Sequence, residues 1–299
     1  MDGIIVVDKP AGISSAEVVR RIKAIVKPSR VGHLGTLDPF ATGILPIMVG
    51  EATKLAPFLE GGEKEYEGVI RLGAETDTLD PEGSVVRTAA VPALDSGRLS
   101  EVAARFTATI EQVPPVYSAI KRAGVPLYKL ARRGSEVEPP APRKVEIRSL
   151  ELKAGEVGSI RFRLVCSPGT YIRALARDIG IALGTAAHLG ALRRRRNGIF
   201  SLDDACSLDE TIAALAGGGV IDIVGLREAL PEVPEVEVDA ATARRIRNGE
   251  WRALDGLVPA GATIFKVISG GRLLAVARAD SRITARLLRI FSPTIVPQS

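Results

Sequence analysis

Apolar positions along the chain fall into two rhythms, one of unbroken or alternating runs and one of helical spacing. Gly3-Ile4-Ile5-Val6-Val7 is an uninterrupted run of the kind a buried strand carries, and it stops at the turn-forming Asp8-Lys9-Pro10-Ala11-Gly12. Val18, Val19, Ile22, Ile25 and Val26 then recur at helical spacing. Ser14 with Glu17 three residues on reads as a capping box, so a helix is predicted that ends before Pro28. Arg20, Arg21, Lys23 and Lys27 fall on its other face, which reads first as solvated and second as a contact face for a polyanion. Gly43 to Val49 is a second apolar run, Leu55 to Leu59 predicts a short helix, and the alternation from Tyr66 predicts a strand. Leu99, Val102, Ala103 and Phe106 space another helix. Pro114 and Pro115 force extended chain, Leu127 to Arg133 reads as a short helix ended by Gly134, and Pro139 to Pro142 as a rigid link.

The second half repeats the two rhythms. Val145 with Ile147, and Ile160, Phe162, Leu164 and Cys166, alternate as half-buried strands. Ser167-Pro168-Gly169-Thr170 breaks the pattern, and Tyr171 opens a helix with Ile172, Leu175, Ile179 and Leu183 on its buried stripe. Arg173, Arg177 and Asp178 lie off that stripe. The run Arg193-Arg194-Arg195-Arg196 is expected to place guanidinium groups around a helix or loop, either as a purely solvated run or, beside a functional loop, holding phosphates. Leu202 to Pro231 reads as helical with a joint at Gly217-Gly218-Gly219. Beyond it come a basic stretch at Ala243 to Gly249, a strand at Ile264 to Ile268, a Gly270-Gly271 hairpin turn and Leu273 to Ala277. Strand and helix alternate, but with hairpin-like neighbours, so an α+β fold on a mostly antiparallel sheet is expected. Residues 1–232 form the main domain of this reading and 233–299 a small β-rich one.

Composition narrows the classes. At 299 residues, 46% hydrophobic and 25% charged, the chain can bury a large core, and global disorder is excluded. Its two cysteines, Cys166 and Cys206, are too few for a disulfide scaffold, so a reducing cytoplasm is expected. No apolar run reaches the roughly 18 residues of a membrane helix, and no membrane role is expected. The net charge of +5 permits a polyanionic partner, and its distribution says more: residues 235–299 hold 10 Lys/Arg against 6 Asp/Glu, leaving 30 against 29 elsewhere. Aromatic content of 4% argues against a broad stacking platform. The acidic turn Thr76 to Gly83 lacks calcium-loop spacing, so no metal site is expected.

The candidate chemistry centres on Gly32-His33-Leu34-Gly35-Thr36-Leu37-Asp38-Pro39-Phe40-Ala41-Thr42-Gly43. Its glycines, proline and threonines make a shaped loop in which backbone can approach a polymer closely. An isolated Asp-Pro would read as a turn or cap. The whole string instead closely resembles the aspartate loop of the TruB family of tRNA pseudouridine synthases, with Leu34 standing where family members often carry a hydroxyl residue. Asp8 to Gly12, Lys64 to Tyr66, Cys166 to Arg173, Asp178 and His188 to Leu192 resemble further family blocks in the family's order. The tail is more loosely similar to the β-rich RNA-binding module called PUA.

The resemblance implies isomerisation of uridine 55 in the tRNA T-loop to pseudouridine, by a monomer, with no cofactor or metal. It makes Asp38 the nucleophile, and Arg173 the arginine that pairs with it and keeps it ionised by lowering its pKa. Tyr66 becomes the tyrosine that stacks on the extruded base and helps remove a proton from C5. Tyr171 and Leu192 become further substrate-pocket positions, and His33 a residue that holds the displaced nucleotide. A non-catalytic RNA-folding protein is the competing class, but binding alone requires none of Asp38, Tyr66 and Arg173 in those roles. The guide-RNA-dependent relatives usually bring extra basic extensions, which the tail does not offer.

Overall fold

In the computed structural model of this protein, residues 1–26, 30–118, 120–122, 124–127 and 138–292 are described. The first half of the chain forms β1 (Gly3–Lys9), β2 (Val31–His33), β3 (Thr42–Val49), β4 (Lys64–Leu72), β5 (Ala74–Thr76), β6 (Val85–Thr88) and β7 (Thr109–Gln112). A two-residue ribbon, β8 (Lys121–Arg122) with β9 (Val125–Pro126), precedes the long β10 (Arg143–Ala154) and β11 (Ser159–Cys166). After them come β12 (Ala187–Asn197), β13 (Phe200–Ser201) and β14 (Cys206–Ser207). The C-terminal strands are β15 (Glu235–Glu237), β16 (Ile264–Ser269), β17 (Arg272–Ala279) and β18 (Ala285–Ile290).

Ten strands share one sheet in the order β14-β1-β3-β12-β4-β11-β10-β7, with β2 beside β3 and β13 beside β12. Within this sheet, among the described residues, only β1 with β14 and β12 with β3 pair in parallel, so the mostly antiparallel α+β expectation holds. The apolar runs of β1 and β3 lie inside this sheet with nearly every residue buried. The helix Ile172–Ala182 covers one face through Ile172, Leu175 and Ile179, which join Phe162, Leu164 and Leu189 in a single core. The helix Ser15–Ile25 caps a second core, inserting Val18 and Ile22 beside Ile5, Leu45 and Ile47.

Several expectations are corrected. The capping box at the first helix is half made: Ser14 accepts the Glu17 N–H, but the Glu17 carboxylate goes to Arg20 and Arg21, which compete with the N-cap amide as donors. The helix expected over Leu202 to Pro231 is short, Leu208–Ala213 followed by a wide turn over Ala214–Gly218. Before it lie a 3-10 turn at Leu202–Asp204 and the strand β14, and after it an isolated bridge in which Ile4 and Val224 exchange backbone hydrogen bonds. The arginine run is neither helix nor loop but the C-terminal part of β12. The helix predicted over Leu127 to Arg133 lies, beyond Leu127, outside the described residues, as does Lys27.

The C-terminal sheet, β15-β16-β17-β18, matches the small β-rich unit read from the sequence, with the helix Ala240–Arg247 packed on it. It is not independent of the main body, because Ile268, Leu273, Val276 and Phe291 share a core with Ile4, Ile44 and Leu55. Lys54 Nζ donates to the Ile290 carbonyl at 2.9 Å and the Ser292 amide to Glu51 at 2.7 Å across the same seam. Among the described residues no helix is long and apolar enough to cross a membrane.

Candidate active site

The loop joining β2 to β3 is held on every side, which follows from its having no regular ladder of its own. Leu37 is bracketed by Ser15, whose hydroxyl accepts its amide and donates to its carbonyl, both at 2.9 Å. The Pro39 carbonyl accepts from the Gly12 amide at 2.8 Å and from Lys9 Nζ at 3.2 Å. Asn197 donates to the Leu34 carbonyl and Arg194 to the Gly35 carbonyl, each at 2.9 Å. Gly43 sits at φ +100°, and a Cβ there would stand 2.2 Å from the Arg194 carbonyl oxygen, so only glycine lets the loop re-enter the sheet against β12. Asp38 is therefore presented on a rigid support.

Its partner is Arg173, from the first turn of the helix Ile172–Ala182. Nε lies 3.0 Å from Asp38 Oδ2 and Nη2 donates to Oδ1 at 3.2 Å, a two-point grip. The remaining N–H groups go to Asp80 Oδ2 at 3.2 Å and to the Thr78 and Tyr117 carbonyls at 2.8 and 2.9 Å, so every donor of the guanidinium is used. The Arg173 side chain is 8% exposed, Asp80 5% and Asp38 33%. The expectation that Arg173 lies off the buried stripe is thus overturned: two carboxylates neutralise it, and that is what allows it inside. Asp38 alone of the three keeps an opening to solvent.

Burial pushes the Asp38 carboxyl above the ordinary carboxylate range, Arg173 pulls it back and the nearby Asp80 charge adds to the upward push. This reverses the expected lowering, because desolvation outweighs the one guanidinium that Asp38 shares with Asp80. Lys9 supplies the balancing charge. It is fully buried, donates to the Pro10 and Ile13 carbonyls as well as to Pro39, and burial lowers its pKa to about 8.

The other sequence-predicted residues distribute around this cluster. Tyr66 on β4 is 6% exposed in the same core as Leu37, Ala41 and Leu192, and burial raises its phenol pKa, with Arg194 opposing. Leu192 lines a cavity of about 240 Å³ with Phe40, Thr42, Gly68, Pro81 and Arg193, between the Asp38 loop and the acidic turn. Tyr171 precedes the helix; Gln112 bridges its amide and carbonyl at 2.8 and 3.1 Å, and the Arg143 guanidinium lies 4.3 Å from its ring centre. His33 stands on β2 behind the loop. Its Nδ1 is buried without a hydrogen-bond partner among the described residues, and burial followed by the Arg194 charge lowers its pKa.

Sequence reasoning missed Asp80, read only as part of a turn that binds no metal. A usable signal existed, since Asp80-Pro81 repeats the Asp38-Pro39 dipeptide. Leu79 just before it is, among the described residues, the one non-glycine at positive φ (61°), a conformation that costs about 1–2 kcal/mol and here turns Asp80 inward. The phosphate-holding role expected for the arginine run is also revised. Arg193 pairs with Asp8 at 2.7 Å, Arg195 with Glu67 at 3.1 Å and Arg196 with Glu63 and Glu65 at 3.6 Å, while Arg194 is fully buried. Strand β4 runs antiparallel beside β12 with Glu65 opposite its partner Arg196; Glu67, opposite Arg193 in register, reaches Arg195 instead, and Arg193 turns to Asp8 of β1.

Comparison with known proteins adds an independent line. Residues 23–172 match the model of the TruB family pseudouridylate synthase N-terminal domain, and 173–218 that of the tRNA pseudouridylate synthase B C-terminal domain. The chain is 42% identical over 286 residues to tRNA pseudouridine synthase B of Geotalea uraniireducens, spanning 93% of this chain and 92% of that protein. It is 41% identical over 307 residues to the protein of that name in Geobacter sulfurreducens, spanning 98% and 100%. Among solved structures it is similar to a chain of a Cbf5-Nop10-Gar1 complex, with a TM-score of 0.70 and 25% identity over 97% of this chain and 85% of that one.

Proposed function

This chain belongs to the TruB family of pseudouridylate synthases, a family of isomerases, and from that premise we propose that it converts uridine 55 of the tRNA T-loop to pseudouridine with Asp38 as nucleophile. The observation that carries the reading is the Asp38 carboxylate, a third exposed and gripped at two points by the buried Arg173, on a loop whose Phe40, together with Leu192, lines a cavity. The reaction breaks the C1′–N1 bond and forms a C1′–C5 bond, the proton of C5 leaving to solvent and N1 taking one up. Substrate and product hold the same atoms at the same oxidation level, so a carboxylate that traps the sugar or base while the ring turns is sufficient chemistry, without cofactor. Attack at C1′, attack at C6 and passage through a glycal all use the same carboxylate.

A stacked uridine hides these atoms, and extruding it costs about a few kcal/mol. Tyr66 stacks on the extruded base, Leu192 and Tyr171 close the pocket around it, and His33 holds the displaced nucleotide. RNA loops whose bases splay easily suit such a site. Residues 1–232 form the catalytic unit of this proposal, and 233–299 a PUA-like unit that grips tRNA in the cytoplasm, the protein acting as a monomer. Support for that grip comes from Arg244, Arg247, Arg252, Arg272, Arg278 and Arg282, which are exposed and pair with no carboxylate among the described residues.

Tritium release from a tRNA transcript labelled at C5 of uridine tests the proposal. Wild-type protein releases tritium without added cofactor. Asp38→Asn binds the same transcript but releases none above background, and measurable product from that variant removes Asp38 from the role.

A further inference from the structure

Arg194 stands apart from the other members of the arginine run. Its three neighbours sit at the surface against carboxylates, whereas Arg194 is 0% exposed and pairs with no carboxylate among the described residues. An uncompensated buried cation is costly, and two backbone carbonyls are a weak return for it. Its location accounts for it. In the sheet, Arg194 lies between Gly43 of β3 and Tyr66 of β4, directly opposite each in register. Nε donates to the Ile44 carbonyl and Nη2 to the Gly35 carbonyl, each at 2.9 Å, so the guanidinium is bolted to both ends of the Asp38 loop. A Cβ on Gly35, at φ +73°, would come 3.3 Å from Nη1, so glycine here lets the loop close down over the guanidinium. Nη1 has no hydrogen-bond partner among the described residues, and Tyr66, directly opposite across the strands, carries the phenol whose ionised form the guanidinium charge favours.

We propose that Arg194 is a positioning residue for the isomerisation, acting through Tyr66: anchored to the nucleophile loop by two backbone hydrogen bonds, it fixes the Tyr66 phenol relative to Asp38. This rests on the role given to Tyr66 above. Burial, Cys166 and Asp38 all disfavour the ionised Tyr66 phenol, and among the described residues Arg194 is the cation that opposes them, its charge also felt by Lys64 and His33. A flexible point charge cannot replace a planar fork that bonds in two directions at once, so lysine fails at this position even though it keeps the charge.

Two measurements on the full chain test this. In single-turnover tritium release, Arg194→Lys lowers the rate at saturating tRNA roughly 100-fold with half-saturation unchanged, the scale of a misplaced reacting group. In the Tyr66→Phe background the same substitution slows the reaction further by no more than a few-fold. Multiplying effects in the double variant, or weakened half-saturation alone, would overturn the proposal. The second readout needs no activity: with the four tyrosines labelled at Cζ, the Tyr66 resonance, assigned by its loss in Tyr66→Phe, shifts in Arg194→Lys more than the other three. An unmoved Tyr66 resonance sinks the inference whatever the enzyme does, whereas a shifted resonance in a protein without tritium release sinks the functional reading and leaves the contact standing. Arg194→Gln, which keeps two donors without the charge, repeats both measurements if the lysine variant does not fold.

Discussion

Arg173 and Arg196 each face two carboxylates, and the comparison of their surroundings explains most of how this molecule divides labour. Arg196 lies on the open face of the sheet in a ladder that runs through Glu65 to Arg163 and through Glu63 to Arg148. Its partners stand 3.6 Å away and its side chain is 35% exposed, so water competes for every contact. Arg173 is enclosed, all of its N–H groups are committed, and one of its two carboxylates is as buried as itself. Exposed ion pairs contribute little because water does nearly as well; enclosed ones must be complete because nothing replaces a missing partner. Charge on the sheet face is therefore expendable, while charge under the Asp38 loop is tied to both fold and chemistry.

The sharpest way to break the comparison is to remove the enclosed cation. Arg173→Met strands Asp80 and Asp38 together, and a loss of about 3–5 kcal/mol is expected from urea unfolding, with tritium release abolished. Retention of most of the stability would mean that the two carboxylates find other partners. A pH profile probes the same cluster more gently. Burial raises the Asp38 pKa, so lowering the pH protonates the nucleophile early, and the acid limb of the single-turnover rate falls at a pH above the ordinary carboxylate value of about 4. The sign for stability is opposite to that of a salt-bridged carboxylate. The folded state holds the Asp38 proton more tightly than the unfolded chain, so wild-type stability declines relative to Asp38→Asn as the pH rises through the shifted pKa. A rate that stays flat down to about pH 4 would contradict the raised value. The smallest effect belongs to the ladder: a double-mutant cycle on Arg196 and Glu63 should give a coupling of about 1 kcal/mol or less, fading with salt. A larger coupling would erase the distinction between the two regions.

Local signals in the chain anticipated a good deal of this. The apolar runs at Gly3 to Val7 and Gly43 to Val49 became β1 and β3, and the spacing of Leu99, Val102 and Ala103 became the helix Ser96–Phe106. These patterns record which neighbours along the chain must be dry together, and that survives in one dimension. Leu202 to Pro231 misled for the complementary reason: its helical spacing is real, but Val224 finds a strand-like partner in Ile4, far away in sequence, and that pairing wins.

The chain by itself determined several of the strands, β1, β3, β4, β10 and β11 among them, that the sheet is mostly antiparallel, that a small β-rich unit follows the main one, and, through the string around Asp38, which residues to watch. It did not determine which arginine goes inside. Arg173 and Arg194 look in sequence like solvated helix and solvated run, and their burial depends on groups they meet only after folding: Asp80 for one, the carbonyls of Gly35 and Ile44 for the other. A charge can be buried only where its compensation already waits. That compensation is long-range by nature, 93 residues from Arg173 to Asp80 and 159 from Arg194 to Gly35, so no window of sequence contains it and tertiary structure alone decides.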